Sequence, residues 1–131
     1  MDDKNRSIRV LLTKSQLDGH DRGVRYVMKK LSESGMEVIF TRYGIPDDIV
    51  QTAIEEDVDV IGISFSTGSP LIIASDVMKK MRENKMDSIS VITGGIIPTD
   101  EIPELERIGI ARCFGPGSFA KDIVNYINSI C

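Results

Sequence analysis

Val58-Asp59-Val60-Ile61-Gly62-Ile63-Ser64 is the stretch from which the fold can be read. It is a short run dominated by β-branched apolar residues, the pattern of a strand buried in a sheet. Upstream of it, Pro46 opens a helix as a good first-turn residue, with Asp47 and Asp48 at the positive helix end and Ile49, Val50, Ala53 and Ile54 on its apolar face. Before that helix, Glu37 to Thr41 reads as another strand. Gly23 to Ser34 carries Val24, Val27, Met28 and Leu31 at helical spacing, with Gly35 as its stop. Ile8 to Thr13 is the first strand of the chain. Downstream, a polar turn from Phe65 to Ser69 leads into a helix from Pro70 to about Asn84. A strand from Ile89 to Thr93 ends at Gly94-Gly95, a helix follows near Glu101 to Ile108, a short strand covers Ala111 to Phe114, and a last helix runs from Phe119 to about Ile127.

Strands and helices thus alternate five times along the chain. That order predicts an α/β fold, a doubly wound five-stranded parallel sheet, because parallel neighbours need helix-sized crossovers and the crossovers are right-handed. Doubly wound sheets hold their ligands outside the carboxyl ends of the strands, where the winding direction reverses. In the flavodoxin-like (Rossmann-like) order 2-1-3-4-5 that point lies between the first and third strands.

Composition narrows the function classes. With 41% hydrophobic residues and no low-complexity tract, residues 1–131 are expected to form one domain around one core, with the charged residues 1–6 as a flexible tail. A net charge of −4 and the lack of a Lys/Arg stripe argue against a nucleic-acid partner. The N-terminus has no apolar signal region and no apolar run approaches the length of a membrane span, so a cytoplasmic protein with no membrane partner is expected. Cys113 and Cys131 lack metal-site spacing.

The unusual residues fall on the loops that follow strands one, three, four and five. These are Asp18-Gly19-His20-Asp21-Arg22-Gly23, Ser64-Phe65-Ser66-Thr67-Gly68-Ser69, Gly94-Gly95 and Gly115-Pro116-Gly117-Ser118. All four emerge at the carboxyl edge of the sheet, and glycine lets a ligand approach the backbone closely. His20 is the only histidine of the chain. An imidazole there can ligate a metal, shuttle a proton or simply occupy a loop. A dinucleotide fingerprint, a Walker lysine, the acidic pair of a response regulator and a Ser/His/Asp or Cys/His arrangement are all missing. A site without its own nucleophile or acid–base pair fits a domain that binds a cofactor which carries the chemistry.

Asp18-x-His20-x-x-Gly23, a serine at the end of strand three and Gly94-Gly95 together resemble the signature of the cobalamin-binding domain family, over nearly the whole chain from Ile8 onward. Within that family, Asp18-Gly19-His20-Asp21-Arg22-Gly23, Gly94-Gly95-Ile96-Ile97-Pro98 and Phe114-Gly115-Pro116-Gly117-Ser118 are most similar to the cobalamin domain of methylmalonyl-CoA mutase. The resemblance implies the flavodoxin-like strand order and adenosylcobalamin bound base-off, with His20 as lower ligand of cobalt. It implies that Asp18 orients the imidazole, that Lys14 pairs with Asp18, and that Ser64 hydrogen-bonds the displaced nucleotide base. Gly94 and Gly95 would let the nucleotide tail pass, and Gly115, Pro116, Gly117 and Ser118 would close over its far end. Gly19, Asp21, Arg22 and Gly23 complete the histidine loop. The chain departs from the family after strand three, where the usual Ser-x-Leu reads Ser64-Phe65-Ser66 and where the histidine common later in that loop is replaced by Pro70. Ser66 is therefore expected at the wall of the tail pocket.

The functional expectation is the cofactor-binding small subunit of an adenosylcobalamin-dependent acyl-CoA mutase. Methylmalonyl-CoA mutase, which interconverts methylmalonyl-CoA and succinyl-CoA by radical isomerisation, is the first choice. A sibling such as 2-hydroxyisobutyryl-CoA mutase is the alternative. The partner implied is a larger TIM-barrel subunit that binds the acyl-CoA, with no catalytic residue in this chain beyond the cofactor ligand. A corrinoid methyl carrier and a cobalamin sensor are the other readings; the helical cap usual in the first and an output segment for the second are not seen in the sequence.

Overall fold

A computed structural model describes residues 6–66, 69–115 and 118–131. Strands β1 (Arg9–Ser15), β2 (Glu37–Tyr43), β3 (Val60–Phe65), β4 (Ser90–Gly95) and β5 (Arg112–Phe114) alternate with helices α1 (Arg22–Glu33), α2 (Pro46–Glu56), α3 (Pro70–Glu83), α4 (Ile102–Arg107) and α5 (Ala120–Ile130). The strands form one sheet in the order β2-β1-β3-β4-β5, with every pair parallel. This is the doubly wound parallel sheet expected from the alternation, in the flavodoxin-like order that the resemblance implies.

Alternate residues of the central strands feed two cores, as the two-residue period of a strand requires. Leu11, Ile61, Ile63 and Val91 pack with Ile49 and Ala53 of α2, Ala74 and Val77 of α3 and Leu105 of α4. Val10, Leu12, Val60 and Ile92 face the other way, toward Val24 and Leu31 of α1 and Ile127 of α5. Burial of both faces explains why the strand runs carry so few polar residues.

Most differences from the expected boundaries lie at strand ends. β1 continues through Lys14 and Ser15, and β2 through Arg42 and Tyr43, because the two strands keep pairing to Ser15↔Tyr43. β3 starts at Val60 rather than Val58: Asp57, in the left-handed conformation at φ 51°, ends α2, and Val58 remains buried in the connection. A 3-10 turn over Thr99–Glu101 takes up the beginning of the helix expected near Glu101. Arg6 pairs with Asp59 at 2.5 Å; the rest of the expected tail, residues 1–5, lies outside the described residues. Among the described residues no helix is long and apolar enough to cross a membrane.

The register fixes what stands side by side at the carboxyl edge. Arg42 lies opposite Lys14, Lys14 opposite Ser64, Ser64 opposite Gly94, and Gly94 opposite Phe114. Four loops rise from this row.

Candidate functional site

Lys14 sits in this row between Arg42 and Ser64. It is the last but one residue of β1, and the strand buries it to 1% exposure. A buried ammonium needs paired charge and acceptors around it. Its Nζ lies 3.2 Å from Asp18 Oδ2 and 3.4 Å from Asp21 Oδ1, and it donates to the His20 carbonyl. One buried cation therefore gathers three residues of the β1–α1 loop.

Asp18 is itself buried, at 5% exposure, and its two oxygens are divided between two tasks. Oδ1 accepts the His20 backbone N–H at 2.9 Å and lies 3.0 Å from His20 Nδ1. Oδ2 accepts the Ser66 hydroxyl and faces Lys14. Burial alone would favour the neutral acid. Hydrogen bonds from Ser66, the His20 amide, the His20 ring and Lys14 outweigh it and hold the carboxyl far below the usual carboxylate range. With Asp18 ionised, the ring proton belongs on Nδ1, and the Nε2 lone pair is left pointing away from the contact.

The imidazole itself is open, with its side chain 83% exposed. It stands at the mouth of a cavity of about 360 Å³ between the sheet, α1 and α5. Leu12, Val24, Ile92 and Phe114 give the cavity apolar walls, while Ser64 and Ser66 bring hydroxyls to it. Gly23, Gly62, Gly94, Gly95 and Gly115 also line it. An added Cβ would meet nothing within 4 Å at Gly23 or Gly115 and only the Phe114 carbonyl at 3.5 Å at Gly94, so protein packing does not demand glycine at these points. Their effect is to keep the cavity wide. Gly95 is different: its φ of 90° and a Cβ position 2.0 Å from the Phe65 carbonyl oxygen make it a backbone requirement.

The structure thus brings most of the expected residues together, in two groups. His20, Gly23, Ser64, Ser66, Gly94, Gly95, Gly115 and Ser118 line one cavity. Lys14, Asp18 and Asp21 hold the loop that carries His20. Gly19 and Arg22 do not line the cavity, and Pro116 and Gly117 lie outside the described residues. Ser66, expected only at the pocket wall, also donates to Asp18, which explains how a polar residue is accommodated where leucine is usual. Arg42 was not anticipated. It bonds the Asp18 carbonyl at 2.9 Å and the Asp21 carboxylate. Its signal in the sequence is positional: in the order 2-1-3 the ends of strands one and two are neighbours, and each apolar run is followed directly by a basic residue, Lys14 after Thr13 and Arg42 after Thr41.

The donor set suits a metal that arrives with most of its ligands. Among the described residues no group of three or more His, Cys, Asp or Glu side chains could hold a bare ion. A single exposed imidazole of fixed tautomer, beside an apolar cavity, fits a cofactor that needs one axial ligand and a slot for an aromatic appendage.

Residues 8–124 match the family model described as B12 binding domain. The chain is 43% identical over 127 residues to the pivalyl-CoA mutase small subunit of Xanthobacter autotrophicus, covering 95% of this chain and 84% of that protein. It is 36% identical to the 2-hydroxyisobutanoyl-CoA mutase small subunit of Aquincola tertiaricarbonis, covering 94% of this chain and 91% of that one. It is 33% identical to methylmalonyl-CoA mutase of Cereibacter sphaeroides, where it spans only 18% of the longer chain. In fold it resembles a cobalamin-binding protein from Desulfitobacterium hafniense, with a TM-score of 0.80 over 96% of this chain and 60% of that one at 19% identity. A receiver domain of NarL from Mycobacterium tuberculosis shares the fold at a TM-score of 0.71 and 16% identity, covering 95% of both chains.

Proposed function

This chain belongs to the B12 binding domain family, and we propose that it is the cobalamin-binding small subunit of an adenosylcobalamin-dependent acyl-CoA mutase. The observation that carries the reading is His20: an exposed imidazole whose Nδ1 is tied to buried Asp18 at 3.0 Å and whose ring stands over an apolar cavity. His20 Nε2 would hold the cobalt. Asp18 would fix the tautomer and raise the basicity of the ligand, an outer-shell role. The cavity would take the displaced nucleotide tail, with the Ser64 hydroxyl toward its base and Gly94 and Gly115 keeping room for it. Cobalamin, when bound, supplies the radical chemistry; this chain supplies the ligand, its orientation and a dry slot.

The acyl-CoA site is assigned to a larger partner, in keeping with relatives named as small subunits. That partner would be a TIM barrel closing over the exposed face around His20. The substrate is an acyl-CoA undergoing carbon-skeleton rearrangement. Methylmalonyl-CoA, expected from the sequence, stands beside pivalyl-CoA and 2-hydroxyisobutanoyl-CoA; the greater identity to the two separate small subunits favours a branched acyl group of their kind.

The test is reconstitution. The purified chain is mixed with adenosylcobalamin and each of the three acyl-CoA esters, with and without the co-purifying large subunit. Isomerisation only in the presence of both subunits is expected. Isomerisation by this chain alone would overturn the subunit reading, and methyl transfer from a methylated corrin to a thiol acceptor, without isomerisation, would replace it with the carrier.

A further inference from the structure

The His20 ring has one partner, Asp18, and is otherwise surrounded by solvent. Packing cannot set its direction, so its placement depends on how firmly the loop from Asp18 to Asp21 is held. Lys14 holds that loop from within. Arg42 holds it from outside, across from Lys14 in the β1–β2 register. Its guanidinium donates from Nη1 to the Asp18 carbonyl at 2.9 Å and from Nη2 to the Asp21 carboxylate. The two contacts fall on either side of His20, so the fork ties the base of the loop into a ring with His20 at its tip.

Asp21 supplies a second, independent observation. It occupies the N-cap of α1, where an aspartate ordinarily turns its carboxylate onto the helix amides. Here it makes no cap bond. Its Oδ2 is given to Arg42 and its Oδ1 lies 3.4 Å from Lys14. Arg25 lies 3.6 Å from the same Oδ2. A local preference is set aside so that the carboxylate can face three cations, the kind of departure that marks a functional position. A guanidinium suits the task because its planar fork satisfies two acceptors at once, which a lysine ammonium does only loosely.

Resting on the cobalamin reading, we infer that Arg42 is a positioning residue that pre-forms the His20 loop for cofactor capture. It touches neither the cavity nor the imidazole and acts through Asp18 and Asp21. The loop is therefore ordered before the cofactor arrives, and the ordering cost is not charged to binding. When a binding-competent state is only partly populated, apparent affinity falls by the same fraction.

The experiment compares wild-type chain with Arg42→Ala, Arg42→Lys and, from the other end of the same link, Asp21→Asn. Amide hydrogen exchange is measured on the cofactor-free chain, and affinity is measured with hydroxocobalamin. In Arg42→Ala, exchange at Asp18 and His20, whose amides bond the Ser15 carbonyl and the Asp18 carboxylate, should rise about tenfold while amides of β1, β3 and β4 keep their protection. Cobalamin affinity should fall by the same factor as the loop opens, with Arg42→Lys in between. A nitrogen-15 histidine spectrum should move from a single Nδ1–H tautomer toward a mixture, a change that general destabilisation would not produce. Unchanged loop exchange in both Arg42→Ala and Asp21→Asn would overturn the inference, as would exchange that rises uniformly through the sheet. If wild type fails to bind hydroxocobalamin, the cofactor reading fails and with it the capture role of Arg42. If wild type binds and the variants bind equally well with unchanged loop exchange, only the inference fails.

Discussion

Asp18→Asn replaces the central carboxylate by an amide of the same shape. The carboxylate accepts from four donors: the Ser66 hydroxyl and Lys14 ammonium on one oxygen, the His20 amide and ring on the other. An asparagine has one oxygen to offer and two hydrogens to place. If its oxygen faces Lys14 and Ser66, its NH₂ meets the His20 amide, and the ring must accept at Nδ1. The ring proton then moves to Nε2 and removes the outward lone pair. If it is turned the other way, its NH₂ meets a buried hydroxyl and a buried cation. Either way Lys14, at 1% exposure, loses its nearer counter-charge and keeps Asp21 at 3.4 Å and the His20 carbonyl. Breaking a buried pair from one side costs about 3–5 kcal/mol. The remaining partners place the loss at the lower end, about 3 kcal/mol, which a domain of ordinary stability survives folded. Cobalamin affinity should fall by about 10–100-fold. Urea unfolding of the cofactor-free chain gives the first quantity and an absorbance titration with cobalamin the second. Adding Lys14→Met should recover part of the stability, because the stranded charge is gone, and none of the affinity. Wild-type affinity in Asp18→Asn would refute the orienting role, and wild-type stability would refute the buried-pair argument.

Ser66→Ala removes one donor from Asp18 Oδ2 and should cost about 1 kcal/mol in urea unfolding, with a smaller loss of cobalamin affinity than Asp18→Asn; an affinity loss as large as that of Asp18→Asn would show that Ser66 contacts the cofactor directly. Gly94→Ala places a methyl group in the cavity where only the Phe114 carbonyl lies near, at 3.5 Å. It should weaken cobalamin binding while leaving the melting temperature almost unchanged, and unchanged binding would remove Gly94 from the tail path. Asp48 accepts the backbone amides of Ile45 at 3.1 Å and Gly44 at 2.8 Å, which lowers its pKa below the ordinary 3.8. A folded-state pKa below the unfolded one stabilises fully above pH 3.8 and less as pH falls through the depressed native value. Asp48→Asn should therefore lower the melting temperature at pH 7, with the gap to wild type narrowing below about pH 4; a gap independent of pH would show that the charge contributes nothing.

The fold was legible because the first four strand runs are short, apolar and rich in β-branched residues, and because helices such as those opened by Pro46 and Pro70 carry a start signal. The strand order was legible only through the resemblance, since alternation alone allows two doubly wound orders. His20, Asp18 and Lys14 were legible together through the resemblance, but the sequence could not say that Lys14 is buried. That follows from β1 running two residues further than its apolar run, so that a charged side chain enters the ladder. Ser66 and Arg42 were hidden for a different reason. Their partners are 48 and 24 residues away, and only the β2-β1-β3 register brings them to Asp18. Asp21 could be read only as part of the histidine loop, and its place at the head of α1 with its carboxylate turned from the cap to Lys14, Arg25 and Arg42 is a tertiary effect that local preference cannot reveal.

The central claim is that His20 binds cobalt, and the chain's single histidine makes the test direct. The chain is loaded with cobalamin, reduced to the Co(II) form and examined by electron paramagnetic resonance, once with natural histidine and once with nitrogen-15 histidine. A three-line nitrogen superhyperfine pattern that becomes two-line on labelling is predicted, because only His20 carries the label. A three-line pattern unchanged by labelling would place the cofactor's own base in the lower position, and a spectrum without nitrogen splitting would place water there; either would contradict the assignment of His20.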